Sequence, residues 1–178
     1  MDNDNIWAPW RIAYLKSLEA EESGQKESQG CFLCNYWEDG ENDKKNLVLW
    51  RTQRCLVVFN RFPYTGGHLL IAPSGHIADL QGLNNDTMLE MMLLTRDAQK
   101  VISAAIKPQG FNIGINISRC AGAGLPGHVH LHLVPRWDGD TNFMATVGHV
   151  RVISQGLDEL YDQLTEISQR LQLPTVKP

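Results

Sequence analysis

The stretch GHVHLHLVPRW, residues 127–137, puts His128, His130 and His132 at every second position, half of the chain's six histidines. Side chains alternate across a strand, so the three share one face, each about 7 Å from the next. Val129, Leu131 and Leu133 then point the other way, as core residues do. Histidine has no special strand preference, so three in register ask for a chemical reason. One reading is a wet face of structural histidines. A second is a metal site, because histidines two apart on a strand can reach one ion. A third is nucleophilic catalysis, in which a neutral imidazole attacks phosphorus and forms a phosphoramidate. An ordinary imidazole, with a pKa of about 6.5, is mostly neutral at pH 7. The preceding SRCAGAGLPG is a glycine-bearing loop whose backbone N–H groups can approach an anion closely. Loop and histidines together favour phosphate chemistry.

Cys31-Phe-Leu-Cys34 is a second candidate centre. Metal and redox sites share this spacing. A thioredoxin-type centre expects a following helix in a parallel α/β setting, a context the sequence does not suggest. Cys55, in the apolar run CLVVF, and Cys120, beside Ala and Gly, read as ordinary thiols.

These groups need a frame. Residues 46–50 (NLVLW) and 54–59 (RCLVVF) read as strands joined by a turn at residues 51–53. The loop NRFPYTGG leads to HLLIAP, residues 68–73, a short apolar run bounded by Gly and Pro and hence a buried strand. Residues 86–106 form the strongest helix, with Asn84, Asn85 or Asp86 as cap and Pro108 past its end. Its methionines fall at core spacing. FNIGINI, residues 111–117, is a fourth strand and the histidine segment a fifth. DELYDQLTEISQRL, residues 158–171, is a final amphipathic helix. Hairpin-length turns with one long helix between strands three and four predict an α+β fold, an antiparallel sheet with helices on one side.

The chain has 178 residues, enough for one domain, with 43% hydrophobic and 20% charged residues. A net charge of −4 gives no basic surface for nucleic acid, yet leaves room for a locally positive pocket for a phosphorylated small molecule. No apolar run reaches the roughly 20 residues of a membrane span. The acidic start MDNDNIWAPWR lacks the basic and apolar regions of a signal peptide, so a cytoplasmic location is expected. Residues 17–30 read as a polar loop, and the aromatic WAPWR before it as a segment that packs on the body or on a partner subunit.

HVHLHLV resembles the histidine-triad motif of the HIT superfamily of nucleotide hydrolases and transferases. WAPWR, CFLC, NRFPYTGGHLLIAP, AGAGLPGHVHLHLVPRW and GDTNFM together resemble its bacterial branch related to diadenosine tetraphosphate phosphorylases, over residues 7–145. The resemblance implies a single HIT domain, with residues 1–30 an N-terminal extension, 31–145 the catalytic core and 146–178 a C-terminal strand and helix. It implies that His130 is the nucleophile, that His132 attends the phosphate and leaving group, and that Asn116 lies against both. Gly122 and Gly124 supply backbone donors and Asn60 bonds the ribose. Trp137, Asn142 and Phe143 shape the distal pocket, with Arg119 and Arg136 as counter-charges. It implies structural zinc held by Cys31, Cys34, His76 and His128, and a homodimer. His68 stays outside the main site and His149 has no motif context. Cleavage of adenosine polyphosphates through a nucleotidyl-histidine, by phosphorolysis in preference to hydrolysis, is the expected activity. A nucleoside phosphoramidate hydrolase and a nucleotide-binding module with little turnover are the alternatives.

Overall fold

The computed structural model describes residues 30–140, 153 and 155–176. From Cys31 onward the chain forms one compact unit. Its centre is a five-stranded antiparallel sheet: β1 (Val48–Arg51), β2 (Cys55–Phe59), β3 (Leu69–Pro73), β4 (Gly110–Ile115) and β5 (Leu131–Arg136). The strand order is β1-β2-β3-β5-β4, so β5 lies between β3 and β4.

β2 and β3 are buried at every position, as their unbroken apolar runs require. Cys55, Val57, Phe59, Leu69 and Ile71 join one core, together with Val129, Leu131 and Leu133. That face is covered by α3 (Asn85–Ile106) and α4 (Leu157–Arg170) through residues such as Leu94, Val101, Leu160 and Leu164. α3 is capped by Asn84, whose side chain accepts the Thr87 N–H at 2.8 Å, and stops where Lys107 turns left-handed at φ 47° just before Pro108. α4 carries Asp158 and Glu159 in its first turn and Arg170 in its last, matching the helix dipole.

The other sheet face differs from expectation. The segment opening at Cys31 is a helix, α1 (Phe32–Glu38), followed by a short helix α2 (Asp43–Asn46). α1 buries Leu33 against Val48, Leu56, Val58, Leu70 and Ala72. Helices therefore lie on both faces, and strand β1 begins two residues later than the apolar run suggests, because Leu47 ends α2 left-handed at φ 58°. Leu70 of this second cluster pairs with His132, so the histidines share the α1 side of the sheet. The helix after the first cysteine does not revive the redox reading, since every pairing in this sheet is antiparallel.

Candidate active site and metal centre

Only His132 of the three histidines sits within the β5 ladder, between Leu70 and Gly114. His128 and His130 lie on the extended approach to it, anchored by a 2.6 Å bond from Val129 N–H to the Ile77 carbonyl. The alternation survives: Val129 and Leu131 enter the core while His130 and His132 meet edge-on, ring centroids 4.9 Å apart.

Each imidazole's proton can be assigned from its partner. Nδ1 of His130 lies 2.8 Å from the His128 carbonyl, an acceptor, so it carries the proton and Nε2 keeps its lone pair. A buried imidazole with Nε2 unprotonated is a nucleophile ready for phosphorus. His132 is set the opposite way, and His68 is the reason. The Tyr64 backbone N–H donates to Nδ1 of His68 at 3.2 Å. Neutral His68 then carries its proton on Nε2, which donates to Nδ1 of His132 at 3.0 Å. His132 is left with its proton on Nε2, a buried atom without a protein partner among the described residues. Burial, reinforced by the neighbouring His130, pushes His132 down to about 4, so it is neutral at pH 7. The site thus offers one imidazole lone pair and, beside it, one N–H donor.

His68 therefore belongs to the site, contrary to the sequence expectation. It is 1% exposed, and its start-of-strand position gives no periodic signal. Gly67, at φ +81°, makes the approach possible: a Cβ there would lie 2.9 Å from Ile106.

The register brings Asn116 alongside. Gly114 faces His132 and Ile115 faces Leu131, so Asn116 leaves the end of β4 next to the point where His130 enters β5. Gly122, left-handed at φ +89°, turns its Cα side to the Asn116 amide, 3.9 Å from where a Cβ would stand. Gly124 has open space around it. Ser118, between them, holds φ 68° and ψ 164°, a strained conformation costing about 1–3 kcal/mol. Asn60 is committed to scaffolding: its Oδ1 accepts the Phe62 N–H at 2.9 Å and its Nδ2 lies 3.3 Å from Nδ1 of His68.

One expected site residue lies elsewhere, and another is already paired. Trp137 follows the alternation to the helix-covered side, where it lines a cavity of about 360 Å³ with Gly66, Ile106, Gln155 and Leu160. An odd offset from the histidines puts it on the wrong face for their substrate. Arg136 is held by both carboxylate oxygens of Asp140, at 2.5 and 2.7 Å, and by Asn112 Oδ1, so its charge is already countered. Arg119 is exposed in the glycine-bearing loop. Asn142, Phe143 and His149 lie outside the described residues.

The metal cluster assembles as the resemblance implied. Cys31, Cys34, His76 and His128 each present a ligand atom, all within 4.8 Å of one another. Nδ1 of His128 lies 3.2 Å from Cys31 Sγ and 3.5 Å from Cys34 Sγ, and Nδ1 of His76 lies 3.3 Å from Cys34 Sγ. Two soft sulfurs and two imidazole nitrogens suit a tetrahedral ion. The second sphere fits as well. His128 donates Nε2–H to the Pro73 carbonyl at 2.9 Å, which frees Nδ1 as a ligand. Gly127 makes room for His76, whose Nε2 would stand 3.1 Å from a Cβ there. Burial, with the adjacent Cys31, pushes the Cys34 thiol up to about 11.

With this geometry in view, the comparisons are specific. Residues 41–139 match the model of the HIT domain. The chain belongs to the HIT family. A HIT relative, AP-4-A phosphorylase of Mycobacterium tuberculosis (strain H37Rv), is 35% identical over 84% of this chain and 76% of its own length. The asymmetrical bis(5'-nucleosyl)-tetraphosphatase of Schizosaccharomyces pombe is 31% identical over 52% of this chain and 50% of its own. Among solved HIT structures, a Zn-bound histidine triad family protein from Mycobacterium smegmatis superposes with a TM-score of 0.65, at 24% identity, covering 80% of this chain and 96% of that one.

Proposed function

We propose that this HIT protein cleaves adenosine polyphosphates of the diadenosine tetraphosphate type through a covalent intermediate on His130. The observation that carries the reading is the pair of contacts, His130 Nδ1 on the His128 carbonyl and His132 Nδ1 on His68 Nε2, which together assign a lone pair to His130 Nε2 and a proton to His132 Nε2. The similarity to the mycobacterial phosphorylase over most of the chain supports the choice of substrate.

In the first step His130 Nε2 attacks the α-phosphorus, the P–N bond forms and the bond to the leaving phosphate oxygen breaks. The imidazole becomes cationic, and its Nδ1–H keeps its bond to the His128 carbonyl. His132 Nε2–H donates to the oxygen on which charge develops. Asn116 and the backbone around Gly122 and Gly124 hold the phosphate. In the second step an oxygen of phosphate, or of a water that releases a proton to solvent, attacks phosphorus and the P–N bond breaks, its electron pair returning to His130 Nε2.

Zinc is the ion proposed for Cys31, Cys34, His76 and His128, supported by the S₂N₂ donor set and by the Zn-bound neighbour of this fold. All four positions are taken by protein, which gives the ion a structural task. A homodimer belongs to the same reading. Among the described residues β4 is an edge of the sheet, with Ile113 on it and Ile117 just past its end exposed, and sedimentation of the purified protein at twice the chain mass is the expected result. No helix among the described residues is long and apolar enough to cross a membrane. Cys31, Cys34, Cys55 and Cys120 form no disulfide, in keeping with a reducing, cytoplasmic setting.

Product analysis with diadenosine tetraphosphate tests the reading. ADP plus ATP, formed only with inorganic phosphate, marks a phosphorylase, and AMP plus ATP without phosphate marks a hydrolase. Turnover no greater than that of His130→Asn removes the dinucleotide reading and leaves the phosphoramidate and binding alternatives.

A further inference from the structure

The loop between β2 and β3 places a half-exposed aromatic ring over the donor side of the site, and the chemistry above gives it no task. Tyr64 is 45% exposed. Its ring lies 4.8 Å from that of His68, tilted by 31°, and 6.1 Å from that of His132, nearly parallel at 18°. His68 and His132 are themselves 5.2 Å apart, so the three rings form one triangular cluster in which Tyr64 is the most exposed member. The same residue's main-chain N–H donates to Nδ1 of His68. One residue thus meets the histidine pair twice, once with a hydrogen bond and once with a water-excluding surface.

We propose that Tyr64 is the positioning residue for His132: its N–H fixes the tautomer of His68, and its ring shields the His68–His132 bond from water, so that His132 presents Nε2–H to the leaving group. The proposal deepens the function proposed above and rests on it. The bond it protects is directional. A proton arriving on Nδ1 of His132 would oppose the Nε2–H of His68, and His68 could relieve the clash only by giving up the acceptor that Tyr64 N–H uses. Water at this pair is the route by which that proton arrives. The groups facing His132 are few. His68 and Tyr64 come from the β2–β3 loop and His130 from the same segment, while its neighbours across the ladder, Leu70 and Gly114, carry no charge. Among the described residues, Tyr64 and histidines are the groups around it that respond to pH.

The test is an NMR titration of isotope-labelled histidines in the full-length, ligand-free protein, comparing wild type with Tyr64→Phe and Tyr64→Ala. Phenylalanine keeps the ring and the main-chain donor, so it should match wild type, with His132 as the Nε2–H tautomer down to about pH 4. Alanine keeps only the donor. It should raise the midpoint of His132 by at least about one pH unit and mix its tautomers. In turnover of diadenosine tetraphosphate at pH 7, Tyr64→Ala should lose about tenfold or more in kcat with KM changed less than about threefold, because mixed tautomers leave part of the enzyme without Nε2–H on His132. Tyr64→Leu, with intermediate cover, should fall between and serves if the alanine variant does not fold. An unchanged His132 midpoint in Tyr64→Ala or Tyr64→Leu, or a Phe variant that behaves like Ala, overturns the proposal. The titration needs no substrate. If it behaves as described while the wild type turns nothing over, the proposed activity has failed and the shielding role stands.

Discussion

At the scale of single residues, the site is decided by where three protons sit. His128 illustrates how much one side chain and its carbonyl can fix. Its Nε2–H is held by Pro73, its Nδ1 faces two thiols, and its carbonyl holds the proton of His130. The donor histidine depends in the same way on His68, which makes His68 testable. Replacing it with Leu removes the N–H that His132 Nδ1 accepts, and His132 is then free to protonate Nδ1 and present a bare Nε2. Replacing it with Gln restores one N–H donor on a side chain of similar reach. We expect His68→Leu to lower kcat by about 10²-fold, the usual cost of losing one preorganised hydrogen-bond donor to developing charge, and His68→Gln to recover part of it. Equal losses in both variants, or a loss confined to KM, would count against the tautomer argument.

Elements position these residues through bonds that are far apart in sequence. The C-terminal segment after α4 returns to α3 and is pinned by Asp97, whose side chain is fully buried. Thr175 donates both its N–H, at 2.8 Å, and its hydroxyl, at 2.5 Å, to Asp97 Oδ2, while Arg96 and Lys100 approach Oδ1. Burial acts to raise this carboxyl, but the Thr175 bonds, with Arg96 and Lys100, outweigh it and hold it at about 2. The folded value lies below the ordinary 3.8, so the clasp adds stability that is complete above pH 4 and lost as pH falls towards 2. Asp97→Asn should cost about 1.5–3 kcal/mol at pH 7, as for hydrogen bonds to a charged group, and the deficit should shrink below pH 4. Denaturant unfolding at pH 7 and pH 3 measures both, and a deficit independent of pH would refute the charge assignment. The sequence announced α3 and the inner strands β2 and β3 plainly, because periodicity and unbroken apolar runs follow directly from burial. It hid α1, since FLCNYWE buries only Leu33 in full and two turns leave little pattern. It also hid the task of His68, since a lone histidine at a strand start carries no spacing to compare with the triad. Trp137 was misplaced for want of one rule, the strand alternation that placed the histidines correctly.

At the scale of the whole molecule, the metal cluster cross-links three segments that packing and the sheet already bring side by side. Cys31 and Cys34 begin α1 on one sheet face, His76 follows β3, and His128 leads into β5. Four ligands from three segments make a cross-link whose loss should be felt globally, because binding energy at such a site is folding energy. The reacting residues have other anchors. Val129 remains in the core and bonded to Ile77, and His132 remains in the β5 ladder and bonded to His68. Removing the metal should therefore cost more in stability than in chemistry. We expect chelation, or the double change Cys31→Ser and Cys34→Ser, to lower Tm by about 10 °C or more. Over the same change, kcat/KM of the protein still folded at 25 °C should fall less than about tenfold. Metal analysis of the purified protein should find about one zinc per chain, as a single four-ligand site requires. Metal-free protein with an unchanged Tm would show that packing alone holds α1 to the sheet. A loss of activity far larger than tenfold, with Tm little altered, would mean that His130 depends on the ion through the His128 carbonyl more than on the strand that carries it.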